Sequence, residues 1–294
     1  MRIGVTGASG MLGKALLSQL SKSHQIFATS RNAGIQGKNI KWDCFDLTNL
    51  DLLKIWLNKN DLDIVIHCAA IVDVDFCEEN FNLSKALHVD TTKVISNYMQ
   101  SSNGKLVYIS TDSVFDGKKL GSYHESERTN PLNIYAKTKL QGEQIALSLD
   151  SGLVLRTNII GWTNKDKTSF FEWLLENLIN ENNINLFDDV YFSPLTVNDL
   201  SLIIEYILQN PIYGLYNCAS SDSISKYDFG LKVCEIFNLS PSNITRVSVE
   251  TMDFKATRPK NMGLDVSKIT SDLVYNLPCV IDSVKSMNKQ FKQF

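Results

Sequence analysis

The sequence has no closely spaced cysteine pair. Its six cysteines (Cys44, Cys68, Cys77, Cys218, Cys234, Cys279) are scattered among apolar neighbours, with no Cys-x-x-Cys. That excludes a zinc ribbon and a small disulfide framework, and leaves buried free thiols as the expectation. Charge of one sign is also missing. With 29 Lys+Arg against 32 Asp+Glu the formal net charge is −3, whereas nucleic-acid binders and polybasic membrane-surface proteins carry a clear basic excess. No run approaches the roughly 18 apolar residues of a membrane span. Arg2 leads straight into an apolar strand, not through a basic region to a small-residue cleavage site. The cytoplasm is therefore the expected compartment, with neither nucleic acid nor membrane as partner. Low-complexity linkers and internal repeats are absent too. What remains is an ordinary globular composition, 44% hydrophobic and 21% charged. A chain of 294 residues is long enough for one large domain or two linked ones.

The first 160 or so residues alternate short apolar runs with longer helical patterns. The runs are 2–7, 25–30, 39–45, 62–70, 105–111 and 152–160. Each is β-branched-rich and unbroken, as strands buried on both faces are. Between them, 11–22 and 83–100 carry apolar residues at helical spacing. Strand–helix alternation with right-handed crossovers predicts an α/β fold with a doubly wound parallel sheet. The second half is less regular. Helices are expected over 168–181, 197–209 and 225–238, and strands over 183–187 and 214–220. The division expected is 1–160 for a nucleotide-binding domain and 161–294 for a smaller C-terminal α/β portion that binds substrate, with the chain crossing between them.

The first strand runs into Val-Thr-Gly-Ala-Ser-Gly-Met-Leu-Gly, and a helix opens at once. Gly7, Gly10 and Gly13, with Met11 and Leu12 between the last two, let the backbone approach a pyrophosphate without a Cβ in the way. The helix N-terminus adds free N–H groups and positive dipole. The spacing is Gly-x-x-Gly-x-x-Gly, which resembles the extended short-chain dehydrogenase/reductases that act on nucleotide sugars. A Rossmann fold follows from that resemblance. NAD sites place an acid at the end of the second strand to hold the ribose 2′-hydroxyl. Here the strand ends Ala28-Thr29-Ser30-Arg31. Ser30 and Arg31 offer a hydroxyl and a guanidinium, which suit a 2′-phosphate, so NADPH is the expected cofactor, with NADH the alternative donor. The resemblance places Asp46 and Leu47 at the adenine. The small Ala69 and Ala70 let the backbone lie against the cofactor.

Tyr135 and Lys139 form Tyr-x-x-x-Lys, one helical turn apart and so on one face. They follow the fifth strand, whose end reads Ser110-Thr111-Asp112. That order resembles the superfamily's catalytic set. A ketone that accepts hydride needs a proton, and an unperturbed Tyr at about 10 gives it up poorly near neutral pH. The resemblance assigns Tyr135 as acid, Lys139 as the ammonium that lowers its pKa and holds the nicotinamide ribose, Ser110 as a cofactor neighbour, and Thr111 as donor to the substrate oxygen.

Residues 110–117, 131–143, 155–158 and 258–265, with Val74-Asp75-x-x-Glu78, resemble the dTDP-4-dehydrorhamnose reductase family. That family reduces the C4 ketone of a dTDP-6-deoxy-hexulose with NADPH or NADH in surface-polysaccharide sugar synthesis. The resemblance places Asp112, Asn158 and Arg258 at the substrate, Arg258 toward its diphosphate. It also allows a homodimer. Two positions depart: Ile159 stands where the family has a sugar-packing Trp, and His88 where it usually has Asn. Ala15 stands where some members have a metal-binding glutamate, so no metal is expected. Two alternatives remain open. One is an NAD-recycling nucleotide-sugar epimerase or dehydratase. The other is a non-catalytic subunit resembling the regulatory subunit of methionine adenosyltransferase.

Overall fold

The computed structural model describes residues 1–34, 36–163 and 169–292. The chain first builds β1 (Arg2–Thr6), α1 (Met11–Leu20), β2 (Gln25–Ser30), β3 (Ile40–Cys44), α2 (Leu50–Asn60) and β4 (Ile64–His67). Then come α3 (Val74–Glu79), α4 (Phe81–Lys85), α5 (Thr91–Ser102), β5 (Lys105–Thr111), α6 (Ile134–Leu147) and β6 (Gly152–Thr157). The remainder adds β7 (Ile159–Ile160), α7 (Phe170–Ile179), β8 (Ile184–Phe187), β9 (Tyr191–Phe192), β10 (Leu195–Thr196) and α8 (Val197–Gln209). It ends with β11 (Gly214–Asn217), β12 (Ile224–Ser225), α9 (Lys226–Phe237), β13 (Ile244–Val247), α10 (Ser267–Leu273) and α11 (Val280–Phe291).

Seven strands form one parallel sheet in the order β11-β6-β5-β4-β1-β2-β3. The order reverses direction between β1 and β4, and in open α/β sheets ligands bind at the carboxyl ends of the strands beside such a switch point. The doubly wound Rossmann sheet is thus as the sequence predicts. Its two faces follow from strand periodicity. Ile3, Val5, Ile64, Ile66, Val107, Ile109, Leu153 and Leu155 face the core under α1 and α8. Val65, Leu106, Tyr108 and Val154 face the opposite core, under α2 and α5. A third cluster centres on Phe171, Phe192 and Phe229, with Val280, Val284 and Met287 of α11. No helix among the described residues is long and apolar enough to cross a membrane.

Three local features differ from the sequence expectation. The segment 83–100 is not one α-helix: Ala86–Asp90 is a π-turn between α4 and α5, with His88 buried at its centre. π-Bulges admit one extra residue and so aim a side chain that an α-turn could not. The run 152–160 is split at Asn158. β6 stays in the main sheet, whereas β7 pairs with β10 outside it. The strand 214–220 is shorter, β11, and it returns the chain to the edge of the main sheet beside β6. Helix α7 occupies most of 168–181, whose first residue, Thr168, lies outside the described residues.

Candidate active site at the switch point

The glycine turn is shaped by contact. Gly7 has φ +66°, and a Cβ there would lie 2.8 Å from the backbone of Ala69. A Cβ on Gly13 would lie 2.4 Å from the Gly7 carbonyl oxygen. Gly10 N-caps α1 with no side chain to accept the amides of the first turn, and that turn carries no acid. The N–H groups of Met11, Leu12 and Gly13 therefore point out of an uncapped positive helix end. That cradle fits a pyrophosphate.

At the end of β2, Ser30 is buried and its hydroxyl donates to the Asn32 carbonyl at 2.6 Å. Arg31 is exposed and enters no ion pair among the described residues. Asp46 holds the Thr48 amide and hydroxyl at 2.9 and 2.8 Å, and Leu47 beside it is buried. Ala69 is buried and Ala70 partly so. These residues converge on the same strand ends as the glycine turn, as the sheet order requires.

The second group sits across the switch point. Thr111 ends β5; its hydroxyl donates to Asp112 at 3.1 Å and accepts from the Ser113 amide. Asp112 is 1% exposed and also receives Asn158 Nδ2 at 2.6 Å and the Ser113 hydroxyl. Burial pushes its carboxyl above the usual carboxylate range, against three hydrogen bonds that pull it down. Tyr135 lies in the first turn of α6. Burial raises its phenol and the Thr111 hydroxyl opposes that rise. Lys139, one turn on, is 3% exposed. Its ammonium donates to the Ile109 carbonyl at 2.6 Å and lies 4.1 Å from the Tyr108 ring centroid. Burial lowers it to about 8, and the Glu143 carboxylate resists that fall.

Helix α6 is fixed at its start by two caps. Asn133 accepts the Ala136 amide at 2.9 Å, and Glu78 of α3 accepts the Ile134 amide at 2.9 Å. Asn133 Nδ2 also donates to the Thr257 carbonyl. Asp75 of α3 receives the Ala256 amide and Arg258 Nη2, both at 2.9 Å. Arg258 is therefore part of a strap that ties 256–258 to α3 and to the Tyr135 turn. The sequence reading placed it at the substrate diphosphate, and here one of its guanidinium nitrogens is already paired.

Two buried histidines brace the middle of the site. The Ile71 amide donates to His88 Nε2 at 2.9 Å, so Nδ1 carries the proton toward Thr138 at 2.8 Å. The His88 ring meets Tyr135 edge-on at 5.9 Å. Thr91 gives its proton to the Leu87 carbonyl, so His67 Nε2 donates to Thr91 and Nδ1 accepts from Thr6. Burial holds both rings neutral, His67 down at about 3 and His88 also far below its usual value.

Sequence reasoning did not find three participants. Glu143, one turn beyond Lys139 on α6, had the i, i+4 spacing as its signal. Arg156, inside the family-like 155–158 run, pairs with Glu143. Lys226 opens α9 with no motif around it.

A glycine-cradled switch point with Thr, Tyr and Lys on its far side defines a Rossmann-fold protein of the short-chain dehydrogenase/reductase type. Within that class the chain belongs to the RmlD substrate binding domain family, whose model matches residues 1–293. It is 26% identical over 298 residues to a protein of Haloferax volcanii named probable low-salt glycan biosynthesis reductase Agl14, covering 99% of this chain and 98% of that one. It is 28% identical to methionine adenosyltransferase 2 subunit beta of Xenopus laevis, covering 90% of this chain and 80% of that protein. The crystal structure of a Bacillus anthracis dTDP-4-dehydrorhamnose reductase in complex with NADP superimposes with a TM-score of 0.85 at 25% identity, covering 98% and 99% of the two chains.

Proposed function

We propose that this chain is an NADPH-dependent reductase of the C4 ketone of a nucleotide-linked 6-deoxy-4-hexulose, serving surface-polysaccharide sugar synthesis. The observation that carries the proposal is the placing of Thr111, Tyr135 and Lys139 opposite an uncapped glycine turn. The glycine cradle would hold the pyrophosphate, and Ser30 and Arg31 the 2′-phosphate. Asp46 and Leu47 would lie at the adenine, with Ala69, Ala70 and Ser110 along the cofactor's inner edge. The dinucleotide supplies the hydride. The protein supplies the proton. Tyr135 transfers its phenolic proton to the ketone oxygen as that oxygen becomes an alkoxide. Thr111 would donate to the same oxygen by turning its single hydroxyl proton away from Asp112. The Lys139 ammonium, charged at neutral pH with a pKa of about 8, is the group assigned to stabilise the phenolate left behind; in this structure it donates to the Ile109 carbonyl instead, and the Tyr135 phenol stays raised by burial. Asp112 and Asn158 bound the sugar side of the cleft. NADP in the Bacillus anthracis relative and the lack of an acid after β2 both favour NADPH. The latter also counts against an NAD-recycling epimerase or dehydratase.

A second reading is favoured by the likeness to methionine adenosyltransferase 2 subunit beta: a cofactor-binding regulatory partner. One assay separates the two. Purified protein is given NADPH or NADH with dTDP-4-keto-6-deoxyglucose and an epimerase, then a panel of other nucleotide-4-ketosugars. Stoichiometric NADPH consumption supports the reductase. NADPH binding without turnover of any ketosugar transfers the weight to the regulatory reading.

A further inference from the structure

Lys226 is the first residue of α9, anchored by its amide to the Val190 carbonyl at 2.9 Å. Its ammonium lies 4.0 Å from the Phe170 ring centroid and 3.3 Å from that of Phe192. Among the described residues it has neither a hydrogen bond nor a salt bridge. The charged group acting on it is Asp112, the same buried carboxylate that holds Thr111 and Asn158. Lysines ordinarily run their stems along apolar surface and keep the ammonium in water. The segment this one packs on borders the Asp112 site: the Leu195 amide, three residues past Phe192, donates to the Asn158 carbonyl at 2.9 Å, and Met262 joins Tyr191 (amide to carbonyl, 3.0 Å) to the Ser113 hydroxyl (3.7 Å). Two aromatic faces recompense part of its lost hydration, but none of its three N–H donors is used.

We infer that Lys226 is a specificity-determining residue of the sugar subsite, its ammonium donating to a ring hydroxyl on the side bounded by Asp112 and Asn158. The inference rests on the ketosugar reading above. A phosphate is the poorer ligand for this ammonium, because the Asp112 carboxylate, which acts electrostatically on it, would repel an anion. A hydroxyl suits both neighbours, since it accepts from Lys226 and carries no charge toward Asp112. The partly exposed Phe170 ring supplies apolar surface of the kind that packs on the C–H face of a sugar, and the buried Phe192 ring backs the ammonium from the core side.

The test compares wild type with Lys226→Met and Lys226→Arg, using dTDP-4-keto-6-deoxyglucose with epimerase as the probe. Lys226→Met is expected to raise KM about tenfold or more, the loss typical of a hydrogen bond to a charged group. Its kcat should change by less than about threefold and its NADPH affinity not at all. Burial lowers the Lys226 ammonium to about 7. Wild-type KM should therefore climb between about pH 6 and pH 9, and Lys226→Arg should flatten that climb. A lysine that only fills space would move thermal stability without moving the pH dependence of KM. An unchanged KM in Lys226→Met, with wild type active, overturns this inference and leaves the reductase reading intact. Wild type inactive on every ketosugar overturns the reading itself. A readout without turnover covers that case: acetic anhydride at neutral pH should label Lys226, and dTDP-glucose but not NADPH should protect it. Labelling that dTDP-glucose leaves unchanged also overturns the inference.

Discussion

Replacing Glu143 by Gln tests whether the site stands on a buried ion pair. Arg156 donates through Nε to both carboxylate oxygens at 3.0 and 3.2 Å, and through Nη2 at 2.8 Å. The Ser110 hydroxyl adds a fourth bond at 2.5 Å. The two side chains are 3% and 1% exposed, so water cannot replace a lost partner. Arg156 already has one nitrogen, Nη1, without an acceptor, and its guanidinium stacks 5.0 Å from the Phe115 ring centroid. Gln keeps the shape and removes the charge, stranding the guanidinium. Breaking one side of such a pair costs about 3–5 kcal/mol. At roughly 2–4 °C per kcal/mol for a chain near this size, the melting temperature should fall by roughly 6–20 °C. The double variant Glu143→Met, Arg156→Met leaves neither charge of this pair and should be less destabilised than Glu143→Met or Arg156→Met alone, so the coupling should exceed about 3 kcal/mol. Urea unfolding of all four proteins measures it. A Glu143→Gln cost below about 1 kcal/mol, or strictly additive single changes, would refute the reasoning. Catalysis gives a second readout. Glu143 holds Lys139 up against burial, so its loss should move the lysine-dependent limb of the pH–rate profile to lower pH.

Tyr135→Phe should abolish turnover while NADPH affinity, measured by fluorescence titration, stays nearly unchanged, because the proton acts only in the transition state; retained turnover removes Tyr135 from the mechanism. Arg31→Ala should weaken NADPH far more than NADH, and equal losses would sink the 2′-phosphate assignment. His67 and His88 stay neutral when folded, yet the unfolded chain protonates them below about 6.5. Stability should therefore fall on acidification from that point down to about 3 for His67, the slope approaching about 1.4 kcal/mol per pH unit for each ring. Urea midpoints between about pH 7 and pH 5 check this; a flat series would show that both rings are charged in the folded protein, and half the slope that one is. His88→Asn should remove its share of the slope.

The cofactor half was legible because its determinants are local. Gly7, Gly10 and Gly13 lie within one turn, and the acid missing after β2 is missing from one short stretch. Tyr135 and Lys139 declare themselves by helical spacing and by following Thr111. What the sequence hides is of another kind. The π-turn at His88 comes from tertiary hydrogen bonds to Ile71 and Thr138, and no periodicity encodes those. Arg258 reads as a free guanidinium before a proline until the fold brings Asp75 beside it. The break at Asn158 is equally invisible. Its side chain leaves the strand pattern to reach Asp112, so β6 and β7 separate where an unbroken apolar run predicts one strand.

The sugar side is hard to read for a structural reason. After Asn158 the chain leaves the main sheet through β7 and comes back only at β11, so its pocket residues are brought together by packing from distant segments. The sequence resemblance puts Ile159 where the family is expected to carry a sugar-packing Trp. The aromatic rings nearest the Lys226 ammonium are the partly exposed Phe170 of α7 and the buried Phe192 of β9. Those two rings also pack on Phe229 of α9, which fixes the helix that carries Lys226. A substitution in that cluster should therefore change substrate preference before it changes cofactor affinity, because none of these residues borders the glycine turn, whereas each is linked to Asp112 through Lys226.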